Sequence, residues 1–389
     1  MMQKLSGLSY WEQSLFPEKC DVCIVGGGFT GLWTAFHLSR MQPSLKIVIL
    51  EAHQLARSAS TRNAGFMCYG SPSEILEDIE TMGQKKAVKL VRDRMNGLEM
   101  IQNLISAEEI DMRPCSGYEY FPKQLSALKD KTFNALDELN ALLQNEQCPR
   151  PFQPTSKSMG SGMNDSNPLK MRADITINGE GQLNPAKLVH RLNRHIDQAG
   201  VTRIESIFVK ELKEEENWIQ VFTDPALPFK AKKILIATNG LYDRLFPKSE
   251  KVKPAKNTVL MLQPDQPIEI EGNFHCDRGY VYFRQVNNAL LIGGGRHWVT
   301  DEEYSSELNP LPETERRLLE FARSEIFSDS VKLKKTISWA GTLGVGKEKS
   351  PVLQWESDRI LSAVRLSGMG VALSPLLAQR AAEELINNL

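Results

Sequence analysis

Residues 21–51 read DVCIVGGGFTGLWTAFHLSRMQPSLKIVILE, and this stretch predicts one strand–turn–helix–strand unit. The apolar run Asp21–Val25 is typical of a buried parallel strand, and Lys46–Leu50 has the same character. Between these runs, apolar residues recur at helical spacing as far as Arg40, and Pro43 ends the helix. A unit of this order is the βαβ motif, which builds parallel sheets covered by helices on both faces.

The turn of this unit has the glycine spacing of a dinucleotide-binding site. Gly26 permits the tight turn, Gly28 lets a pyrophosphate approach the backbone, and Gly31 lets helix and strand pack closely. The start of the helix offers unpaired N–H groups and a positive dipole end to the phosphates. Glu51 ends the second strand, where a carboxylate accepts hydrogen bonds from a ribose and argues against a 2′-phosphate. The predicted contacts beside the glycines are Phe29, Thr30, Glu51 and Ala52.

The composition is that of an ordinary globular chain. Of its 389 residues, 41% are hydrophobic and 24% are charged, which excludes a disordered chain, a collagen and a coiled coil. Lys and Arg number 47 against 48 Asp and Glu, and the net charge of −1 offers no electrostatic basis for binding nucleic acid or an acidic membrane. The length predicts two or three domains, or one large α/β unit with insertions, and the expected partner is a small molecule.

Neither a targeting segment nor a membrane span is predicted. The N-terminal residues are charged and lack the apolar core of a signal peptide, and glycines divide the uncharged stretch Val22–Ser39. Six Cys are too scattered for a disulfide framework, so reduced thiols and a cytoplasmic location are expected. Cys20 and Cys23 form a lone CxxC at the start of a strand, and we expect them to be structural, with no metal site in the chain.

The stretch that follows Glu51 extends the cofactor prediction. Residues 57–66 read RSASTRNAGF and resemble the second cofactor signature of the D-amino-acid-oxidase-like FAD-dependent oxidoreductases, which include glycine oxidase, sarcosine oxidase and γ-glutamylputrescine oxidoreductase. The usual signature is close to GASGRNGG, and Ser58, Thr61 and Ala64 replace glycines here. The resemblance implies FAD, and non-covalent FAD because no His stands in the signature and no Cys in 339–355. The implied contacts are Arg57, Ser58, Ser60, Arg62, Asn63, Ala64 and Gly65.

Shorter segments carry the resemblance over most of the chain. Gly181–Pro185 resembles the family's G-x-L-D-P helix start, Tyr280–Arg284 and Gly293–Arg296 its paired substrate-domain strands, and Trp339–Gly341 the segment that returns to the flavin. Met369 replaces the His of the family's G-H-G motif. The further cofactor contacts that the resemblance implies are Val209, Ala237, Gly240, Gly341, Gly368, Met369, Gly370, Val371 and Ala372.

The sequence and the resemblance together predict an α/β fold, in which a Rossmann-like FAD-binding domain is interleaved with a β-sheet-rich substrate domain. Material of the βαβ type occurs at the start, middle and end of the chain, and β-rich insertions lie between these parts. The FAD-binding domain is expected to comprise residues 1–80, 171–250 and 335–389. The substrate domain is expected to comprise residues 81–170 and 251–334.

The predicted substrate is an amine. Amino-acid-oxidising relatives typically carry an Arg that clamps the substrate carboxylate, and Leu343 stands at that position. The expected reaction oxidises a C–N bond of a primary or secondary amine to an imine by hydride transfer to flavin N5. The imine is then hydrolysed, and oxygen or another acceptor reoxidises the flavin. Tyr282 and Arg284 share one face of a strand and are predicted to orient the substrate, together with Arg296.

Three alternatives stay open. An amino-acid oxidase or dehydrogenase of the same superfamily would use Arg284 or Arg296 as the partner of the substrate carboxylate. A flavin-bound sensing or assembly protein without turnover is favoured by the substitutions in the signatures. An NAD dehydrogenase would use the same glycine turn, and would be colourless.

Overall fold

The computed structural model describes residues 9, 11, 17–54, 58–144, 148, 150–155, 168–226, 229–299 and 307–389. The chain divides into two compact units that alternate along the sequence. Unit 1 contains the residues up to Thr61 together with Ala186–Pro254 and Gly344–Leu389. Unit 2 contains Arg62–Pro185 and Ala255–Leu343.

The strands, in chain order, are β1 (Lys19–Val25), β2 (Ile47–Glu51), β3 (Phe66–Met67), β4 (Arg113–Tyr120), β5 (Phe152–Pro154), β6 (Ile175–Gln182), β7 (Thr202–Glu205), β8 (Phe208–Glu214), β9 (Ile219–Asp224), β10 (Phe229–Ile236), β11 (Lys253–Pro264), β12 (Asn273–Cys276), β13 (Val281–Val286), β14 (Ala289–Gly294), β15 (Leu333–Val345), β16 (Val352–Ser357) and β17 (Ile360–Val364).

The α-helices are α1 (Phe29–Met41), α2 (Ala59–Arg62), α3 (Pro72–Met82), α4 (Gln84–Leu104), α5 (Ser126–Asn134), α6 (Leu136–Leu143), α7 (Pro185–Gln198), α8 (Pro312–Phe321) and α9 (Gly370–Asn387). Shorter helical turns span Glu108–Ile110, Lys123–Leu125, Asn239–Arg244, Arg296–Trp298 and Ala322–Ile326.

The boundaries of the units differ from the predicted domain boundaries at all four places where the chain passes from one to the other. Residues 62–80, 171–185 and 335–343 were expected in the cofactor domain, and they pack in unit 2. The reason is strand pairing, because β3 and β6 pair with each other and β15 pairs with β11, all within the sheet of unit 2. Residues 251–254, expected in the substrate domain, pack in unit 1.

Unit 1 is built on a sheet of order β16-β17-β10-β1-β2-β7. The pairs from β17 to β7 are parallel, β16 is antiparallel, and the β8–β9 hairpin joins the sheet through β10. All five residues of β2 are buried, as expected for a parallel strand covered on both faces. Cys20 and Cys23 also lie in the apolar core, where burial raises the pKa of both thiols.

The helices α1 and α9 of unit 1 begin at the same edge of the sheet, where the strands β1 and β17 end. Every residue of α1 from Phe29 to Leu38 is buried, and α1 packs against α9. Small side chains, Ala35 on α1 and Ala378 and Ala381 on α9, are fully buried and allow close packing. The predicted βαβ unit is therefore present as β1, α1 and β2.

Unit 2 is built on a nine-stranded sheet of order β15-β11-β14-β13-β12-β4-β6-β3, with β5 paired to β6. One apolar core contains Phe274, Phe283 and Ile292 from the sheet together with Leu318 from α8. A second core packs Ile75, Val91 and Leu139 of helices α3, α4 and α6 against the strands β5 and β6; its strand members are Phe152, Ile175 and Ile177.

The predicted fold class is confirmed, since a doubly wound α/β unit is interleaved with a β-rich unit. Among the helices that the structure describes, none is both long and apolar enough to cross a lipid bilayer.

Candidate functional site

The carboxyl ends of four parallel strands of unit 1 meet at one edge of the sheet. β1 is flanked by β2 and β10, and β10 pairs with β17. The chain leaves β1 for one side of the sheet and later returns to the other, which creates the crevice where open α/β sheets bind ligands. The loops after these four strands carry most of the predicted cofactor contacts.

The glycine turn after β1 depends on missing side chains. Gly26 has a φ of +110°, and an added Cβ would lie 2.7 Å from the carbonyl oxygen of Ala237. A Cβ on Gly31 would overlap the carbonyl oxygen of Gly26, so only glycine lets α1 approach the turn. At Gly28, an added Cβ would lie 3.0 Å from Ser60 Oγ, so the absence of a side chain lets Ser60 approach the N-terminus of α1. The tight turn at Gly26 and the close packing at Gly31 match the backbone roles predicted for these two glycines, whereas the pyrophosphate contact at Gly28 stays a prediction.

Glu51 is held against this turn. Its Oε2 accepts a hydrogen bond from the amide of Gly27 at 2.7 Å, and its Oε1 accepts one from the amide of His53 at 3.0 Å. The side chain is 7% exposed, and the neighbouring Ala52 is half-buried. The first turn of α1, with buried Phe29 and Thr30, contains no acidic residue, so the positive end of the helix dipole is left for an anion.

Ser60 connects the second signature to the helix N-terminus. Its Oγ accepts a hydrogen bond from the amide of Phe29 at 2.8 Å, and its own amide donates to Ser58 Oγ at 3.2 Å. The sequence predicted both serines as cofactor contacts, but it did not predict that one of them would cap α1. Arg57 lies outside the described residues.

The loops after β10 and β17 are joined by Asn239. Its Oδ1 accepts a hydrogen bond from the amide of Leu366 at 3.2 Å, and its φ of +47° is one that Asn tolerates better than most residues. The hydroxyls of Thr238 and Ser367 are buried without a hydrogen-bond partner in the part of the chain that the structure describes. A role for Asn239 was not predicted from the sequence, although the Ala-Thr-Asn-Gly stretch is a turn signal.

The remaining contacts predicted for unit 1 lie on these loops or in its core. Gly368 has a φ of +90° and precedes the start of α9, whose first turn contains no acidic residue and whose N-cap makes no side-chain hydrogen bond. Met369 occupies the N-cap position. The other predicted contacts in unit 1 are all buried or half-buried: Val209 on β8, Ala237 and Gly240 after β10, and Gly370, Val371 and Ala372 in α9.

The second half of the signature belongs to unit 2, where it is tied to β15. Arg62 Nη1 donates to the carbonyl oxygen of Ala340 at 2.7 Å, and Trp339 Nε1 donates to the carbonyl oxygen of Arg62 at 2.9 Å. Gly341 follows directly and is buried. The structure therefore brings together two segments that the sequence had assigned separately to the cofactor.

Asn63, Ala64 and Gly65 form a tight turn beyond Arg62. Asn63 Oδ1 accepts a hydrogen bond from the amide of Gly65 at 2.8 Å. Gly65 has a φ of +71°, and an added Cβ would overlap the carbonyl oxygen of Leu183. Ala64 is buried in a small apolar cluster beside Tyr282 and Trp339.

Tyr282 and Arg284 lie two residues apart on β13, as predicted. The hydroxyl of Tyr282 accepts a hydrogen bond from Asn257 Nδ2 at 2.5 Å, and burial raises its pKa to about 12. The ring crosses Gly293 of the neighbouring strand, where an added Cβ would lie 2.6 Å from the Tyr282 oxygen. Tyr282 is therefore held by Asn257, which the sequence did not single out because no motif surrounds it.

Arg284 is held by the β6 end of unit 2. Its Nη1 donates to Gln182 Oε1 at 2.9 Å and its Nη2 to the carbonyl oxygen of Leu183 at 3.4 Å. Burial lowers its pKa to about 10, so the guanidinium stays charged at neutral pH. Its Nε is buried without a hydrogen-bond partner among the described residues.

Arg296 lies in the short helical turn after β14. Its guanidinium stands 4.8 Å from the centroid of the Tyr280 ring, a cation–π arrangement. The adjacent His297 Nε2 lies 3.0 Å from Asp277 Oδ2, and this hydrogen bond lowers the pKa of Asp277. Arg296 therefore has an aromatic contact with Tyr280, whereas Arg284 has polar contacts with Gln182 and Leu183.

The sheet edge combines the glycine turn, an acidic strand end and two buried hydroxyls that have no partner within the described ranges, and this combination defines a dinucleotide-binding protein. Residues 21–384 match the model of the DAO family, described as FAD dependent oxidoreductase. The chain therefore belongs to this family of FAD-dependent oxidoreductases, and FAD is its cofactor. The residues present fit the group, because the first turn of α1 carries no acidic residue and the buried hydroxyls of Thr238 and Ser367 have no hydrogen-bond partner among the described residues.

Several known chains are similar to this one over most of their length. The "Probable oxidoreductase OrdL" of Haemophilus influenzae is 25% identical over 95% of this chain and 84% of its own. The γ-glutamylputrescine oxidoreductase of Escherichia coli is 26% identical over 94% of this chain and 83% of its own. The crystal structure of glycine oxidase from Geobacillus kaustophilus has a TM-score of 0.76 at 19% identity, covering 95% of both chains, and shows that the fold is shared.

Proposed function

We propose that this protein oxidises a C–N bond of a primary or secondary amine to an imine. The substrate carbon loses a hydride, the nitrogen lone pair forms the C=N bond, and the nitrogen releases one proton to solvent. Water then hydrolyses the imine to a carbonyl compound and ammonia or a shorter amine. When bound, FAD supplies the two-electron acceptor, and oxygen or another oxidant takes these electrons from it afterwards.

The observation that carries this proposal is Leu343. The half-buried leucine lies on β15, two residues after Gly341, where amino-acid-oxidising relatives are expected to carry a carboxylate-binding Arg. An apolar side chain cannot pair with a carboxylate, and burying an unpaired charge beside it is costly. The similarity to a chain named γ-glutamylputrescine oxidoreductase also supports an amine.

Tyr282 and Arg284 would orient the substrate. Their side chains point from the same face of β13. Tyr282 accepts a hydrogen bond from Asn257, and Arg284 donates one to Gln182. A charged guanidinium near the substrate nitrogen favours the neutral amine over the ammonium form. Only the neutral amine has the lone pair that the oxidation requires, so this charge contributes directly to the reaction.

We also propose that FAD is held without a covalent bond. The described signature residues 58–66 contain neither His nor Cys, and none of residues 339–355 is Cys. The glycine turn, Glu51, Ser58 and Ser60 would hold the dinucleotide through hydrogen bonds alone. Acid precipitation should release all of the flavin into the supernatant, and flavin that stays with the pellet would contradict this assignment.

The decisive experiment is an anaerobic absorbance titration of the purified flavoprotein with polyamines, N-alkyl amines and free amino acids. Bleaching of the flavin by amines and not by amino acids would support the proposal. Leu343→Arg should gain reduction by amino acids, whereas the matched Leu343→Met, which conserves volume and adds no charge, should keep the wild-type preference. Bleaching of the wild type by amino acids alone would overturn the proposal.

A second candidate function is amino-acid oxidation, and one observation favours it. Arg284 Nε is buried without a hydrogen-bond partner among the described residues, so a carboxylate is an available acceptor for it. In that case Arg284→Lys should raise KM for amino acids more than it lowers kcat. A flavin that no amine or amino acid reduces would instead favour a sensing or assembly role without turnover.

A further inference from the structure

Three metal-ligating side chains meet inside unit 2, apart from the residues assigned to FAD and substrate. The Cys68 thiol, one carboxylate oxygen of Glu180 and one ring nitrogen of His275 all lie within 4.8 Å of one another. Their exposed fractions are 7%, 3% and 4%. Among the residues that the structure describes, this is the one such group of three.

The strand order brings these residues together. β4 lies between β12, which carries His275, and β6, which carries Glu180, and Cys68 follows the edge strand β3 beside β6. The side chain of Glu180 extends across β4 to reach His275, and it passes over Gly117, which has no side chain. An added Cβ on Gly117 would lie 2.5 Å from Glu180 Oε2, so any other residue at this position would clash with the Glu180 carboxylate.

The carboxylate of Glu180 is held by Asn273, which lies on β12 like His275. Asn273 Nδ2 donates to Glu180 Oε2 at 2.9 Å, and the same amide group donates to the carbonyl oxygen of Gly181 at 2.9 Å. His275 Nε2 lies 2.9 Å from Glu180 Oε1, and the ring of Phe66 packs edge-on against the imidazole with 5.5 Å between centroids. The hydrogen bonds of Asn273 are outer contacts of the kind that orient the ligands of metal sites.

Sulfur, nitrogen and oxygen from Cys, His and Glu are the donors that Zn²⁺ takes in proteins, and three of them leave a fourth tetrahedral position for water. The charges also balance. A divalent ion bound to a thiolate, a carboxylate and a neutral imidazole forms a centre without net charge, which the buried surroundings tolerate.

We propose that Cys68, Glu180 and His275 bind one Zn²⁺ ion inside the β-rich unit. The ion would join β3, β6 and β12 across the sheet and stabilise unit 2. This proposal does not depend on the substrate, and it replaces the expectation from sequence that the chain has no metal site. That expectation arose because the three residues are far apart in the chain and follow no ligand spacing.

The test is the zinc content of the flavoprotein after equilibrium dialysis against Zn²⁺, measured by mass spectrometry. Wild type should retain one ion per chain. Cys68→Ser should bind Zn²⁺ at least about ten-fold more weakly. The matched control is Cys115→Ser, because Cys115 is the register partner of Glu180 on β4 and lies outside the group of three. Absence of bound zinc in wild type, or equal loss in both variants, would overturn the proposal.

A second measurement covers the case in which Cys68→Ser does not fold. X-ray absorption spectroscopy of zinc-loaded wild type should show one sulfur and two or three light ligands around the ion. Zn²⁺ should also raise the melting temperature of wild type and of Cys115→Ser. A zinc shell without sulfur would contradict the assignment.

Discussion

The indole of Trp339 donates a hydrogen bond of 2.9 Å to the carbonyl oxygen of Arg62, 277 residues earlier in the chain. The side chain of Arg62 returns the contact, because its Nη1 donates to the carbonyl of Ala340, the residue after Trp339. The two hydrogen bonds fix the end of the second cofactor signature to β15. The last residues of the signature are thereby held against the sheet of unit 2.

This pair should behave as a coupled unit. Trp339→Phe removes the indole donor and Arg62→Leu the guanidinium donor, and each should lower the unfolding free energy by about 1 kcal/mol or more. Because the bonds share one short contact region, the double variant should deviate from additivity by about 0.5 to 3 kcal/mol. Urea unfolding of the four proteins measures this coupling, and strictly additive losses would show that the two bonds act independently.

Glu51 should determine FAD affinity. Glu51→Gln removes the charge that the Gly27 amide and a ribose would share, and losing a hydrogen bond to a charged group costs about 1.5 to 3 kcal/mol. The affinity of the apoprotein for FAD should fall by about ten- to a hundred-fold. The quenching of flavin fluorescence on binding measures this affinity. The control is Glu205→Gln at the end of the neighbouring strand β7, which should bind FAD like wild type. Equal affinity of Glu51→Gln and wild type would contradict the role.

Gly31→Ala, compared with Gly200→Ala, should separate the effect of a steric clash from the effect of an unfavourable backbone conformation. The new methyl group would overlap the Gly26 carbonyl, so α1 must move away from the turn, with an expected stability loss of about 1 to 3 kcal/mol and loss of bound flavin. Gly200→Ala is the comparison, because its φ of +75° is strained for Ala but its surroundings are open. It should cost about 1 to 2 kcal/mol and leave the flavin content unchanged. Flavin retained at wild-type level in Gly31→Ala would refute this role.

Gly293 should matter to the reaction through Tyr282. Gly293→Ala places a methyl group where the Tyr282 ring now lies, and a shift of about 1 Å in an orienting side chain can lower the rate by about a hundred-fold. Tyr282→Phe keeps the ring in place and loses only the hydroxyl that accepts from Asn257, so its loss should be smaller. Stopped-flow rates of flavin reduction compare the two variants, and a larger loss in Tyr282→Phe would reverse this order of importance.

His37 should make unit 1 sensitive to acid. It lies on α1 against Trp33, with 5.9 Å between ring centroids, and burial lowers its pKa to about 4. The unfolded chain takes up the proton near pH 6.5, so the stability contribution is full above about pH 6.5 and is lost as the pH falls toward 4. The loss amounts to about 3 kcal/mol. Melting curves of wild type and His37→Gln should diverge over this window, and parallel curves would contradict the assignment.

The glycine turn and Glu51 could be predicted because their constraints are local, since each depends on the backbone of one short segment. Asn257, Gln182 and the contact between Arg62 and Trp339 could not, because they depend on which strands pair and in what register. Arg284 shows both what the sequence can predict and what it cannot. Alternation along β13 predicted its face, whereas its partners come from the end of β6, more than 100 residues away in the chain.

The order of strands in unit 1 has a consequence for how the protein is made. β1 and β2 come from the first part of the chain, β10 from the middle, and β17 from residues 360–364. A ribosome therefore has to reach residues 360–364 before the parallel sheet can be completed, and until then Ile234–Ile236 of β10 lack their β17 partners. Such late, long-range pairing is slow and exposes strand edges to other chains. A chaperone or early cofactor capture would act during this interval, and messages that end before residue 360 should yield chains that neither retain flavin nor stay soluble.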